Sequence, residues 1–91
     1  MKYFDWNHEK DEKLKLGRKI GFEDILTAIE TGGLIEIRNH PNPKRYGKQK
    51  EFVVLIEGYV YVVPFVEDDE KIFLKTIFPN RKETKKYYEK L

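Results

Sequence analysis

Two runs of β-branched and aromatic residues constrain the fold of this chain more than any other feature. Residues 52–56 and 59–66 are separated only by Glu57 and Gly58, which is the spacing of a β-hairpin with a two-residue turn. The second run is apolar on both faces of the strand, with Tyr59, Tyr61 and Val63 on one face and Val60 and Val62 on the other. A strand of this kind must be covered on both faces of its sheet.

The rest of the chain supplies elements that can cover such a sheet. We predict the further strands at residues 2–6, 34–38 and 72–78, and helices that begin after Asn7, near Gly21 and after Asn80. The predicted order is β-α-α-β-β-β-β-α, an α+β fold in which two N-terminal helices and one C-terminal helix pack on an antiparallel β-sheet.

Local signals set the limits of the helices. Asn7 is a suitable N-cap, and Gly17 is expected to end the first helix, which Leu14 and Leu16 would anchor in the core. In the second helix, an apolar stripe with helical spacing is formed by Phe22, Ile25, Leu26 and Ile29. Asn80 with Glu83 resembles a capping box, and a second stripe follows it at Thr84, Tyr87, Tyr88 and Leu91.

Composition excludes several classes of site. A chain of 91 residues is expected to form one domain, 1–91. It contains no cysteine and two histidines, which excludes disulfides and thiolate zinc sites and disfavours a histidine metal cage, so we expect no metal and no cofactor. No apolar run is long enough to cross a membrane and no signal peptide is recognisable, so a cytoplasmic location is expected.

The net charge of +2 hides a strong segregation of charge along the chain. Residues 38–50 contain five basic and no acidic residues, and residues 75–91 contain six basic and two acidic residues. The intervening segment 51–74 is acidic, with six acidic residues and one lysine. If the two basic segments meet in the fold, they form a surface suited to a polyanion such as nucleic acid; the alternative is two unrelated solvated surfaces.

The candidate site residues lie in these two basic segments. In the first, they are His40, Lys44, Arg45, Tyr46, Lys48 and Lys50, which provide an imidazole, cations for phosphate oxygens and a ring for stacking. In the second, they are Lys75, Arg81, Lys82 and Lys85. Arg81 falls in the first turn of a helix, where a guanidinium can bind a phosphate with two hydrogen bonds.

Several short motifs along the chain resemble those of the BrnT-type toxins of bacterial toxin–antitoxin modules, which belong to the RelE-like superfamily of small ribonucleases. The motifs are FDWNHEK at 4–10, IGFED at 20–24, RYG at 45–47, IFPNRK at 77–82 and the terminal Tyr87 or Tyr88. In the fourth motif the family usually reads Ile-Ser-Ala-Arg, whereas this chain has Phe78, Pro79 and Asn80 and keeps Arg81.

The resemblance implies a RelE-like fold and metal-independent cleavage of RNA by attack of the 2′-hydroxyl on the adjacent phosphate. On this interpretation His40 acts as acid or base, the phosphate is held by Lys44, Arg45 and Arg81, and Lys75 or Lys50 assists. We assign RNA binding to the remaining candidates of the two basic segments, which are Tyr46, Lys48, Lys50, Lys82 and Lys85.

The same resemblance implies a protein partner, a BrnA-like or other DNA-binding antitoxin that neutralises the toxin. Two alternatives stay open at this point. One is a non-catalytic module, a degenerate toxin or RNA-binding protein whose basic face only binds, and the other is a protein–protein interaction module with no role in nucleic-acid binding. The sequence does not determine whether the chain forms a homodimer.

Overall fold

The computed structural model describes residues 2–42, 44, 45 and 47–91. Its elements are β1 (Tyr3–Trp6), α1 (His8–Arg18), α2 (Phe22–Glu30), β2 (Leu34–Asn39), β3 (Lys50–Ile56), β4 (Tyr59–Glu67), β5 (Lys71–Leu74), β6 (Phe78–Pro79) and α3 (Arg81–Glu89). The fold is α+β, and the order agrees with the predicted one apart from the added two-residue strand β6. Within the described residues, no helix has the length and apolar character needed to cross a membrane.

The six strands form one sheet in the order β1-β5-β4-β3-β2, with β6 paired to β4 beyond the end of β5. The β2–β3, β3–β4 and β4–β5 pairs are antiparallel, whereas β1 runs parallel to β5. The sheet is therefore mixed, and the prediction of a purely antiparallel sheet is wrong. The chain leaves β1 through α1 and α2, which carry it across one face of the sheet to β2 at the opposite edge.

The central hairpin has the predicted turn. Glu57 and Gly58 both have positive φ, at 48° and 81°, as a two-residue hairpin turn of type I′ requires. Ile56 and Tyr59 are paired across this turn, so the register of β3 and β4 follows directly from it.

The two faces of the sheet are covered by different helices. On the core face, α1 and α2 pack against β3, β4 and β5, and the buried cluster contains Leu14, Phe22, Ile25, Phe52, Val54, Val63, Phe65, Leu74 and Ile77. On the opposite, outer face, α3 lies over β4, where Val60 and Val62 are buried. The hydroxyl of Thr84 on α3 accepts a hydrogen bond from the Val60 N–H at 2.9 Å, and the Tyr88 hydroxyl donates to the Gly58 carbonyl at 2.7 Å.

The first helix departs from its predicted end. Gly17 lies inside α1, which continues to Arg18, and the left-handed residue is Lys19 with φ 58°. Leu16 is 85% exposed, so it does not anchor the helix as predicted, whereas Leu14 is buried. The N–H of Lys19 closes the helix on the Lys15 carbonyl, and the buried Asp11 carboxylate accepts the N–H of Phe22 at 2.8 Å, which joins α1 to the start of α2.

The α3 stripe is less buried than its spacing predicts. Asn80 is the N-cap, as expected, and its side chain accepts the Glu83 N–H at 2.9 Å. However, no residue of α3 is buried, and Tyr88 and Leu91 are exposed. Polar contacts therefore help to hold α3 on the sheet. One of them joins Glu83, the third residue of the helix, to Arg38 of β2 and is described below.

The predicted strand 72–78 is interrupted by a one-residue bulge. Leu74 pairs with Phe65 and Phe78 pairs with Val62, so a step of four residues in the outer strand matches a step of three in β4. Pro64 lies at this point of β4 and has no N–H to donate to the neighbouring strand.

The bulge determines which side chains enter the core. In an uninterrupted strand, Ile77 would lie on the outer face and Phe78 on the core face, because alternate residues point to opposite sides. The extra residue reverses this: Ile77 is completely buried in the core and Phe78 lies across from Val62 on the outer face, 46% exposed. The Arg18 guanidinium donates to the Ile77 carbonyl and ties the bulge to α1.

Candidate functional site

A shallow cavity of about 300 Å³ lies on the outer face of the sheet, where the two basic segments meet. It is lined by His40, Gln49, Glu51, Pro64, Lys75, Thr76 and Phe78. His40 and Gln49 lie at the two ends of the β2–β3 connection, Glu51 lies in β3 and Pro64 in β4. Lys75 and Thr76 follow β5, and Phe78 begins β6. The sequence left open whether the basic segments are adjacent, and this cavity brings them together.

Gln49 connects the two sides of the cavity. Its backbone carbonyl accepts the His40 N–H at 3.1 Å, and its side-chain Oε1 accepts a hydrogen bond from Lys75 Nζ at 3.4 Å. Gln49 therefore holds an imidazole-bearing residue and an ammonium group at one site. The sequence reasoning missed this role, since glutamine carries no charge or catalytic signature.

The orientation of His40 is fixed by its own loop. Its Nδ1 accepts the backbone N–H of Asn42 at 3.0 Å, so the proton of the neutral imidazole is on Nε2. His40 is half-buried, which limits the number of positions its ring can occupy. In this tautomer the Nε2–H can donate a hydrogen bond to a phosphate oxygen, and the only ring nitrogen that can take up a proton is Nδ1, after it releases the Asn42 N–H.

A buried ion-pair network supports the cavity wall. Arg38 Nε donates to Glu51 Oε1 at 2.9 Å, and Arg38 Nη1 donates to Glu83 Oε1 on α3 at 3.0 Å. Glu36 is a weaker third partner at 3.4 Å. The network joins β2, β3 and α3, so Arg38 serves to position Glu51 and the helix, and its charge is already matched by carboxylates.

The pKa values of this network reflect burial and pairing. Burial would lower the pKa of the Arg38 guanidinium, but the hydrogen bonds to Glu83 and Glu51 outweigh it, and the net pKa is raised. For Glu83, burial would raise the pKa, but the Arg38 guanidinium holds it below its ordinary range. Both groups therefore stay ionised at neutral pH.

The other cations of the first basic segment, residues 38–50, are not among the residues that line the cavity. Lys44, Arg45 and Lys48 are exposed in the β2–β3 connection, and the Arg45 N–H donates to Asn42 Oδ1 at 3.3 Å. Lys50 is paired with Glu67 at 3.3 Å. Tyr46, predicted to stack on a base or donate a hydrogen bond, lies outside the described residues.

Glu67, the last residue of β4, forms ion pairs with two lysines. Hydrogen bonds from Lys2 at 2.9 Å and from Lys50 lower the pKa of its carboxyl group. The Lys50 ammonium is therefore already partnered by a carboxylate, and this reduces what it can add to a phosphate site.

The cations of α3 do not line the cavity. Arg81, Lys82 and Lys85 are exposed on the helix, and none of them is among the lining residues. Among the sequence-predicted catalytic residues, the structure places His40 and Lys75 in the cavity itself.

Two further residues that line the cavity, Glu51 and Phe78, are not predicted as site residues from the sequence. Glu51 was assigned to the acidic middle segment, although its carboxylate is only 8% exposed and forms part of the cavity wall. Phe78 was placed inside a continuous strand. A proline at position 64 in the central strand is the signal that could have indicated a bulge opposite it.

The described residues contain no group of three or more histidine, aspartate or glutamate side chains that could hold a metal ion. No protein-family model, curated protein or solved structure matches the chain.

We predict that acid destabilises the fold through its paired carboxylates. The pKa is lowered in the folded protein for Glu83, by Arg38, and for Asp68, by the backbone N–H groups of Lys71 and Glu70. A lowered pKa contributes stability that is present above the unfolded value, about 4.3 for glutamate, and is lost as the pH falls through the folded value. Urea unfolding followed by Trp6 fluorescence should show a falling midpoint below about pH 4.3.

Glu83→Gln should flatten this pH dependence, because its side chain no longer titrates. Glu89→Gln is the matched control, since Glu89 is an exposed glutamate on the same helix with no ion pair to Arg38. An equal flattening by both substitutions would contradict the assignment to the Arg38–Glu83 pair.

Proposed function

We propose that this protein is a toxin-type endoribonuclease that cleaves RNA without a metal ion and is neutralised by a cognate antitoxin in the cytoplasm. The observation that carries the proposal is the shared cavity of His40 and Lys75, joined through Gln49. An imidazole and an ammonium group at one polar cavity are suited to cleaving a phosphodiester. The motif resemblance to BrnT-type toxins supports this interpretation, and the proposal takes the observed α+β fold to be of the RelE-like kind.

The reaction needs one proton acceptor, one proton donor and a cation. The 2′-hydroxyl oxygen bonds to phosphorus while its proton moves to a base, and the bond from phosphorus to the 5′-oxygen breaks. The products are a 2′,3′-cyclic phosphate and a 5′-hydroxyl, which takes up a proton. We assign uptake of the 2′-hydroxyl proton to His40 Nδ1, which releases the Asn42 N–H as it is protonated, and the resulting imidazolium can give its Nε2 proton to the 5′-oxygen. We assign Lys75 to the negative charge that develops on the phosphate oxygens.

The surrounding residues have supporting roles in this proposal. The exposed cations Lys44, Arg45 and Lys48 attract the RNA backbone to the cavity rim, an interaction that weakens steeply with salt. Arg81, Lys82 and Lys85 add to the same positive field from α3. A positive surface of this kind also suits an acidic antitoxin surface, which would cover the cavity and stop cleavage.

One observation favours a second candidate, RNA binding without cleavage. Arg81, which the motif resemblance would place on the phosphate, does not line the cavity with His40 and Lys75. The site would then bind RNA through its cations without assembling a complete catalytic set.

The test compares the wild type with Lys75→Met, and with Lys19→Met as the matched control, since Lys19 is exposed and does not line the cavity. Induced expression of the wild type should arrest growth and degrade cellular RNA, and the purified protein should cut single-stranded RNA in the presence of a chelator. Loss of the Lys75 ammonium should slow cleavage at least about tenfold, because a cation at the developing charge is removed, while Lys19→Met stays within about twofold.

The products and substrate distinguish the two candidates. Cleavage must leave a 2′,3′-cyclic phosphate and must stop when the 2′-hydroxyl at the cut position is replaced by hydrogen. RNA that is bound by the wild type but remains intact, with normal growth, would contradict the ribonuclease and support the binding module.

A further inference from the structure

Phe78 occupies an unusual position for an aromatic side chain. Its ring is 46% exposed, although it belongs to a strand paired with the buried centre of the sheet. The bulge at Pro64 turns this ring away from the core and puts Ile77 there instead. Bulges that redirect a side chain are frequent beside functional sites.

The ring separates two cavities. On one side is the cavity of His40 and Lys75 described above. On the other side is a second cavity of about 220 Å³, which shares Thr76 and Phe78 with the first. The second cavity is lined by Lys10, Lys13, Leu14, Gly17, Arg18, Thr76 and Phe78.

The second cavity is cationic without an acidic lining residue. Lys10, Lys13 and Arg18 come from successive turns of α1 and contribute three positive charges. Arg18 also donates to the Ile77 carbonyl, so the wall of this cavity is attached to the bulge that carries the ring. A flat exposed ring thus lies between an ammonium-bearing cavity and a cationic one.

We infer that Phe78 is a base-stacking platform for single-stranded RNA, whose backbone passes from the His40–Lys75 cavity to the Lys10–Lys13–Arg18 cavity. The inference rests on the proposed function and names the form of RNA that the same site takes. Cations on both sides of the ring bind consecutive phosphates, and the ring binds the base between them. A duplex keeps its bases stacked internally, so it cannot use the ring and is not the preferred ligand.

Binding is tested with a probe that cannot be cleaved, so that it reports affinity without chemistry. The probe is a fluorescent 2′-O-methyl oligouridylate, and its partner is an abasic oligomer of the same length and charge. The wild type should bind the base-containing probe about tenfold more tightly than the abasic one, which is within the range of one base–aromatic stack. Phe78→Leu should lose this preference, and Phe78→Trp should keep it.

Two further variants separate stacking from charge. Tyr3→Leu is the matched control, because Tyr3 is a similarly exposed aromatic residue that lines neither cavity. It should leave the preference unchanged. Lys13→Met should weaken both probes equally and reduce the salt dependence of binding.

An unchanged base preference in Phe78→Leu would overturn the inference, as would equal affinity of the wild type for the two probes. These outcomes are independent of catalysis. A protein that cleaves RNA but shows no role for Phe78 refutes only the stacking platform, whereas one that binds the probe through Phe78 and cleaves no RNA refutes only the ribonuclease.

Discussion

Replacing His40 with asparagine should slow RNA cleavage by about 100-fold or more, the usual loss when an acid–base group is removed. Asparagine is chosen because its side-chain oxygen can still accept the Asn42 N–H that His40 Nδ1 accepts at 3.0 Å. The loop conformation should therefore be retained while the group that transfers protons is lost. The rate is measured under single-turnover conditions with a labelled single-stranded RNA.

The slower RNA cleavage of His40→Asn should arise from the position of His40 in the cavity and not from the loss of any histidine. His8→Asn provides the matched control, since His8 is the other histidine of the chain and is exposed at the start of α1. Its cleavage rate should equal that of the wild type. A His40→Asn variant that unfolds at the same urea concentration as the wild type and cleaves at the same rate would exclude the imidazole from the mechanism.

Replacing Arg38 with methionine should lower the free energy of unfolding by about 2 kcal/mol, because removing one partner leaves buried carboxylates uncompensated. Glu51 loses its hydrogen bond at 2.9 Å and Glu83 loses its bond at 3.0 Å. The Glu51 side chain is only 8% exposed, so water cannot replace the guanidinium fully. Arg38 itself is 28% exposed, and this keeps the expected loss below that of a completely buried pair.

The stability measurement uses urea unfolding followed by the fluorescence of Trp6, the single tryptophan, which stacks on the buried Phe22 ring at 5.6 Å. Glu36→Gln is the control and should change stability by less than about 0.5 kcal/mol, because Glu36 is an exposed partner of Arg38. Adding Glu51→Gln to Arg38→Met should recover part of the loss. Equal effects of Arg38→Met and Glu36→Gln would show that the network does not stabilise the fold.

The stability network and the catalytic groups are adjacent but distinct. Glu51 lines the cavity, so the Arg38 substitution is expected to alter cleavage as well as stability, through a displaced carboxylate rather than a lost cation. His40→Asn should affect the rate with little change in unfolding. This contrast distinguishes a residue that positions the site from one that reacts in it.

Much of the fold was predictable because its signals are local. Glu57 and Gly58 indicate the hairpin, since only certain residues accept positive φ in a two-residue turn. Asn7 and Asn80 indicate helix starts, since their side chains accept hydrogen bonds from N–H groups three residues later. The apolar positions of α2 follow the helical period and face the core, with Phe22 and Ile25 buried and Leu26 and Ile29 half-buried against it.

The errors arose where a distant contact outweighs a local preference. Gly17 favours a helix end, yet α1 continues to Arg18, and the side chain of Asp11 within it is held by the distant Phe22 N–H. The parallel pairing of β1 with β5 joins segments far apart in sequence, which no local pattern specifies.

Residue types and their spacing are enough to predict the charge segregation, the central hairpin and the two-sided burial of β4. Their chemistry also makes His40 and Lys75 candidates. The neighbourhood of these residues follows from the three-dimensional fold: His40 and Lys75 share a cavity, Gln49 joins them, Arg38 is already paired and a bulge exposes Phe78. These properties depend on which strands are neighbours and in which register, and the register is set by the packing of the whole core rather than by any one segment.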